Sequence, residues 1–246
     1  MSAKNIDYQL RKERVLGIVV NEYIKTVSPV SSSFITQEYL TDLSSATIRN
    51  ILAELEEEGF LTHPHVSAGR IPTQEGYRFY VDNLMFEIKL LEEEKAHIKG
   101  EYEQGIKDLE ALLEKTSELL SDITHYTSIV SVDCWQGRIF CRGTNYVVTY
   151  PEYHDIQKIR GILVLLEEKE RLLSIINQEL EKKVKILIGS EISCESISDS
   201  CALAVSGFRT SLGASGRIAV LGPQRMDYAR VVSTLDYLKS VIEEII

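Results

Sequence analysis

The chain has 246 residues, of which 44% are hydrophobic and 26% charged, with a formal net charge of −10. This composition excludes collagen-like, mucin-like and wholly disordered chains, and the length suffices for one large or two modest domains. No apolar run reaches the roughly 18 residues of a membrane span, and Met1 to Lys12 is polar, so a cytoplasmic protein with no membrane attachment is expected.

The first periodic pattern places Val15, Leu16, Val19, Val20, Tyr23 and Ile24 on one face, a core-facing helix that Thr26 to Pro29 breaks. A short second helix is expected over 32–39, with Ser31 as its N-cap. The third opens after Ser44 as cap and closes at Gly59. Ile48, Leu52 and Leu55 share its inner face, so Ala46, Asn50, Ala53 and Glu57 point the other way, flanked by Thr47 and Arg49. Two short extended runs, 60–64 and 67–72, read as a β-hairpin around a small-residue tip, and a fourth helix is expected over 73–85. Helix, helix, helix, hairpin is the order of a winged helix-turn-helix, which places a first domain at 1–86.

From 87 to 124 the chain is rich in Glu, Lys and Leu. Ile88, Leu91, Ile98, Tyr102, Leu109, Leu112, Leu119 and Ile123 fit a loose heptad that Lys95, Gly105 and Thr116 interrupt. This segment reads as an amphipathic helical connector that packs on another domain or a second subunit. Over 125–246 strand character recurs at 128–132, 138–150, 184–188, 202–208 and 217–221, between long helical patterns at 155–181 and 227–246. The class is therefore α+β, with a mainly antiparallel sheet in the last domain.

The acidic total argues against a polyanion partner until its distribution is considered. Residues 1–86 carry −3, residues 87–122 carry −6 and the rest −1, which leaves the first domain free to form a local anion-binding patch. A recognition helix sets its N-terminal residues at base edges while its cap and amides hold phosphate. Ser45, Thr47, Arg49 and Asn50 suit that role, because an arginine can bridge guanine, an asparagine adenine, and the small Ala46 allows close approach. A solvated helix face that binds nothing is the bland alternative. Glu54, Glu56, Glu57 and Glu58 oppose docking of the whole helix, so only its first two turns should enter a groove. The hairpin adds His65, Ser67 and Arg70, the last suited to the minor groove or a phosphate, or else to a surface ion pair.

Catalytic and metal patterns are scarce. Residues 216–222 lack the Lys-Ser/Thr sequel of a phosphate-binding loop, and 211–216 lack the Gly-x-Ser-x-Gly of a nucleophile elbow. Cys134, Cys141, Cys194 and Cys201 are too few for a disulfide scaffold, and their paired spacings exceed those of zinc ligands, so they read as core thiols. His63 and His65 have no third ligand nearby in sequence. No enzyme activity, cofactor or metal is expected.

Two long stretches carry a resemblance. LSSATIRNILAELEEEGFL (43–61) with PHVSAGRIPTQEGYRFYV (64–81) resembles the winged-helix domain of the bacterial heat-inducible transcription repressor HrcA family, and GRIAVLGPQRMDYARVVSTLDYL (216–238) resembles the close of that family's GAF-like domain. Residues 125–127, 155–171 and 189–191 also look familial. The resemblance implies a DNA-binding repressor of heat-shock (chaperone) genes, a homodimer on an inverted-repeat operator of double-stranded DNA, and a chaperonin as partner. It places Ser45, Ala46, Thr47, Arg49 and Asn50 on the recognition helix and His65, Ser67 and Arg70 on the wing. The alternative function is a non-DNA regulatory or ligand- or chaperone-interacting module with a repurposed winged helix.

The chain departs from the family in two places. Ser31-Ser32-Ser33 stands where the family has Gly-Ser followed by a basic residue, and only 131–137 joins segments that the family separates by further strands and an inserted dimerisation domain. The resemblance thus implies a shortened member whose GAF-like domain, 125–246, lacks the insert and whose mode of dimerisation is open.

Overall fold

A computed structural model describes residues 3–65, 68–86, 88–103, 108–133, 138–153, 155–178, 183–211 and 213–245. The chain forms two compact units, Met1–Phe86 and Glu87–Ile246. Among the described residues no helix is long and apolar enough to cross a membrane.

In the first unit α1 (Ala3–Thr26), α2 (Ser32–Glu38) and α3 (Ser45–Glu57) precede a minimal hairpin of β1 (Leu61–Thr62) and β2 (Ile71–Pro72), then α4 (Gln74–Phe79). The expected inner faces are the observed ones: Val15, Leu16, Val19 and Val20 of α1 are buried with Ile35 of α2 and Ile48, Ile51, Leu52 and Leu55 of α3. Side-chain caps start both short helices, Ser31 accepting from the Phe34 N–H and Ser44 from the Thr47 N–H. Val30 and Arg70 exchange both backbone hydrogen bonds, so the turn before α2 extends the hairpin into a three-stranded edge. Gly69 permits this approach, because a Cβ there would lie 2.5 Å from the Val30 carbonyl. The fourth helix is not uniform: α4 widens into a π-helical turn over Tyr80–Leu84, where buried Tyr80 donates its hydroxyl to Asn21 Oδ1 at 2.8 Å.

The second unit begins with α5 (Glu92–Glu103) and α6 (Leu109–Thr124). The stretch expected as a connector is thus two helices within this unit. Ile98, Tyr102, Leu112 and Leu119 of the heptad are buried, while Ile88 and Leu91 are exposed; Gly105 lies outside the described residues. Tyr102 meets Thr116 Oγ1 at 2.6 Å, and Thr116 also donates to the Leu112 carbonyl, which is how a heptad position expected to be weak is satisfied in the interior.

Five strands, β3 (Thr127–Val132), β4 (Ile139–Arg142), β5 (Val184–Ile188), β6 (Cys201–Arg209) and β7 (Ser215–Pro223), form one antiparallel sheet in the order β4-β3-β7-β6-β5. β3 and β4 pair directly, Ser131 opposite Ile139, on either side of the short segment where the insert was expected to be absent. α6 and α9 (Tyr228–Ile245) pack on one face, where the Ser128 hydroxyl meets Ser117 of α6. On the other face Ile129, Leu187, Leu203, Val205, Ala219 and Leu221 join the apolar side chains of α7 (Ile156–Glu167) and α8 (Lys169–Ile176). Layers on both faces explain why β3 is buried at every position rather than at alternate ones.

Two expected elements differ. The strand expected over 138–150 stops at Arg142, because Gly143 turns the chain with φ 75° beneath Ser121 and the Tyr126 carbonyl, and helical turns follow at Thr144–Val148 and Pro151–Tyr153. The helix expected over 155–181 breaks at Glu168, whose ψ is 71°, so that Ile162 and Leu165 of α7 and Leu172 and Ile176 of α8 all reach the sheet. Between sheet and α7, Tyr126, Val147, Tyr150, Tyr153, Ile162 and Leu221 line a partly open pocket of about 10 Å³, room for one water.

Candidate nucleic-acid interface

The third helix divides into two functionally different halves. At its start Ser44 Oγ accepts the Thr47 N–H at 3.0 Å and lies 2.9 Å from Thr47 Oγ1. Ser45 Oγ meets Ser32 Oγ at 3.1 Å, tying the first turn of α3 to the first turn of α2. Ser45 and Thr47 are therefore half-buried and brace the turn, although expected at a partner's surface. Ala46, Arg49 and Asn50 are exposed and, at 100° per residue, lie within one sector of the helix. Among the described residues neither the Arg49 guanidinium nor the Asn50 amide has a side-chain partner, so both donor sets are available.

The carboxylates of the second half, expected to repel phosphate, are largely engaged. Glu54 accepts the Tyr8 hydroxyl at 2.7 Å and lies 3.7 Å from Lys12 Nζ, and Glu58 pairs with the same lysine. Lys12 is buried between them, which offsets the cost of burying its charge. Burial and the Glu54 bond push the Tyr8 phenol up to about 12, so it stays a donor. Glu56 holds His63 Nδ1 and, at 2.7 Å, an Arg70 terminal nitrogen. Glu57 is exposed with no ion pair among the described residues. Lys12 and Tyr8 escaped sequence reasoning because each lies 46 residues from an α3 partner, beyond any local pattern.

On the hairpin His65 is exposed, and Ser67 lies outside the described residues. Arg70 rests against α3 through Glu56 and donates weakly to the Ala68 carbonyl at 3.4 Å. Its guanidinium is thus held beside α3 rather than at the hairpin tip. No group of three or more His, Cys, Asp or Glu side chains among the described residues is placed to hold a metal ion. Cys194 and Cys201 are buried and Cys141 half-buried as free thiols, while Cys134 lies outside the described residues.

What the geometry offers is a capped helix tip with two free hydrogen-bonding side chains and a small residue between them. Comparisons with known proteins point the same way. Residues 131–232 match the family described as HrcA protein C terminal domain. The chain is 28% identical to the heat-inducible transcription repressor HrcA of Pelotomaculum thermopropionicum and 29% identical to that of Carboxydothermus hydrogenoformans. Each alignment covers 96% of this chain, with 96% and 97% of the relative. The first alignment runs over 335 positions against a chain of 246 residues, so a block of the relative has no counterpart here. A solved structure, a hypothetical protein at 2.2 Å, superposes with a TM-score of 0.75 at 18% identity, covering 95% of this chain and 96% of that one, and so shares the fold. Over 96% of its length the chain is therefore similar to heat-inducible transcription repressors of the HrcA family, and residues 131–232 match that family's C-terminal domain.

Proposed function

We propose that this protein is a DNA-binding transcriptional repressor of heat-shock (chaperone) genes that acts in the cytoplasm by binding, not by catalysis. It occludes a promoter as a homodimer on an inverted-repeat operator. The observation that carries this reading is the free Arg49–Asn50 pair on the first two turns of α3, with Glu54, Glu56 and Glu58 behind it paired inside the same unit and Glu57 exposed without an ion pair among the described residues. Arg49 reads guanine and Asn50 adenine from the major groove, and Ala46 permits close approach. Ser45 and Thr47 hold the helix start, and His65, Ser67 and Arg70 form the wing. Few cations face outward, so one subunit gains modest phosphate neutralisation and a two-fold operator needs two subunits. A chaperonin that keeps the repressor folded is the partner the family suggests, with heat acting through loss of the binding-competent form.

A gel-shift titration with an inverted-repeat duplex at two salt concentrations tests the proposal. Specific, salt-weakened binding whose preference for the operator Arg49→Ala reduces supports it; a salt slope near zero, or equal affinity for a scrambled duplex, overturns it.

A further inference from the structure

We infer that the outer face of α7 is the surface through which two copies of this chain associate. The inference rests on the two-fold reading above and supplies the surface that reading lacks, since the chain is without the block its relatives carry. α7 is apolar on two sides. Ile162 and Leu165 turn inward to the sheet, yet Ile156, Leu163 and Val164 remain 73%, 42% and 39% exposed. Val148, in the helical turn packed beside α7, is 61% exposed. At 100° per residue Ile156, Arg160, Leu163, Val164 and Glu167 form one continuous outward stripe.

The charges in that stripe choose the occupant. Arg160 and Glu167 are exposed, and among the described residues neither has an ion-pair partner, whereas neighbouring Lys158 pairs with Asp199 and Glu168 with Arg171. They sit seven residues apart, about 10 Å along the axis, with Leu163 and Val164 midway between them. A two-fold axis through that midpoint sets two copies of α7 antiparallel. It brings Arg160 of each against Glu167 of the other, twice, and closes the apolar residues in between. An isologous contact requires this self-complementarity of one patch, and a partner of single-sign charge would not match it.

The test uses the full chain without DNA. Sedimentation equilibrium should show a reversible dimer. Leu163→Asp should weaken self-association by about 100-fold or more, since each copy would bury an unpaired carboxylate. Arg160→Glu should weaken it by roughly 10-fold, and the exchange Arg160→Glu with Glu167→Arg should restore it, which guards against misfolding as the cause. A wild type that stays monomeric at high concentration, or a dimer indifferent to all three variants, overturns the inference. Titrating the same proteins with a single half-site duplex separates the two readings: retained half-site binding by a monomeric Leu163→Asp chain leaves DNA recognition standing, whereas loss of half-site binding by a dimeric wild type leaves the α7 surface standing.

Discussion

The outer stripes of α3 and α7 present the same geometry with opposite chemistry. Each helix buries one face in its own unit and leaves a second ordered face uncovered. On α3 that face carries Ala46, Arg49 and Asn50; on α7 it carries Ile156, Leu163 and Val164 around Arg160 and Glu167, which have no ion-pair partner among the described residues. A polar stripe with free donors gains little from dry burial and suits a hydrated, anionic groove. An apolar stripe gains by leaving water and suits a dry protein face. An uncovered face is therefore informative through what its side chains can satisfy, not through exposure itself.

The contrast can be put under strain by experiment. The largest effect is expected inside α7, between adjacent residues: Ile162→Ala should cost about 2–5 kcal/mol of stability in denaturant titrations, while Leu163→Ala, read at concentrations where the chain is monomeric, should stay within about 0.5 kcal/mol. Similar costs at both positions would mean that the outer stripe already has a partner in the fold. On α3 Arg49→Ala should lose about 1–3 kcal/mol of discrimination between operator and scrambled duplex, measured by fluorescence anisotropy, with the melting temperature unchanged.

Removing the α3 cap by Ser44→Ala should cost about 1 kcal/mol of stability, because the Thr47 N–H loses its side-chain acceptor. Glu56→Gln should raise DNA affinity a few-fold and steepen the salt slope by about 1, since it removes a carboxylate near phosphate and frees Arg70. An unchanged slope would show that Arg70 serves only to fasten the hairpin to α3. The smallest effect concerns the thiols. Burial pushes Cys141 and Cys201 up to about 11, so at pH 8 both remain protonated and peptide mapping should find little alkylation by iodoacetamide. Reactivity should rise as pH climbs through that value, or at lower pH once the unit unfolds.

The GAF-like expectation also gains physical content from this contrast. Sheet, α7 and the turns after β4 meet in a packed interior where three tyrosines, Tyr126, Tyr150 and Tyr153, leave about 10 Å³. That place therefore has no room for an organic ligand.

Much of the fold was legible in local sequence. The period of Val15, Leu16, Val19 and Val20, the caps at Ser31 and Ser44, and the inner face of α3 follow from rules acting over a few residues, and the structure places them as those rules require. The continuous apolar strand runs likewise identified β5, β6 and β7 to within two residues at each end. Errors fell where a backbone break interrupts a favourable run, at Gly143 and Glu168, since side-chain periodicity carries no record of a turn imposed by packing below it.

Which faces are apolar, where helices begin, and that Arg49 and Asn50 point away from the core were all written in the order of the residues. That Lys12, Tyr8, His63 and Arg70 would pair with Glu54, Glu56 and Glu58 of α3, and which domain 87–124 would pack into, emerged only from the folded arrangement. The reason is range: burial of a face is encoded in neighbours three and four positions apart, but the partner of a charge 46 residues away exists only once the chain has folded.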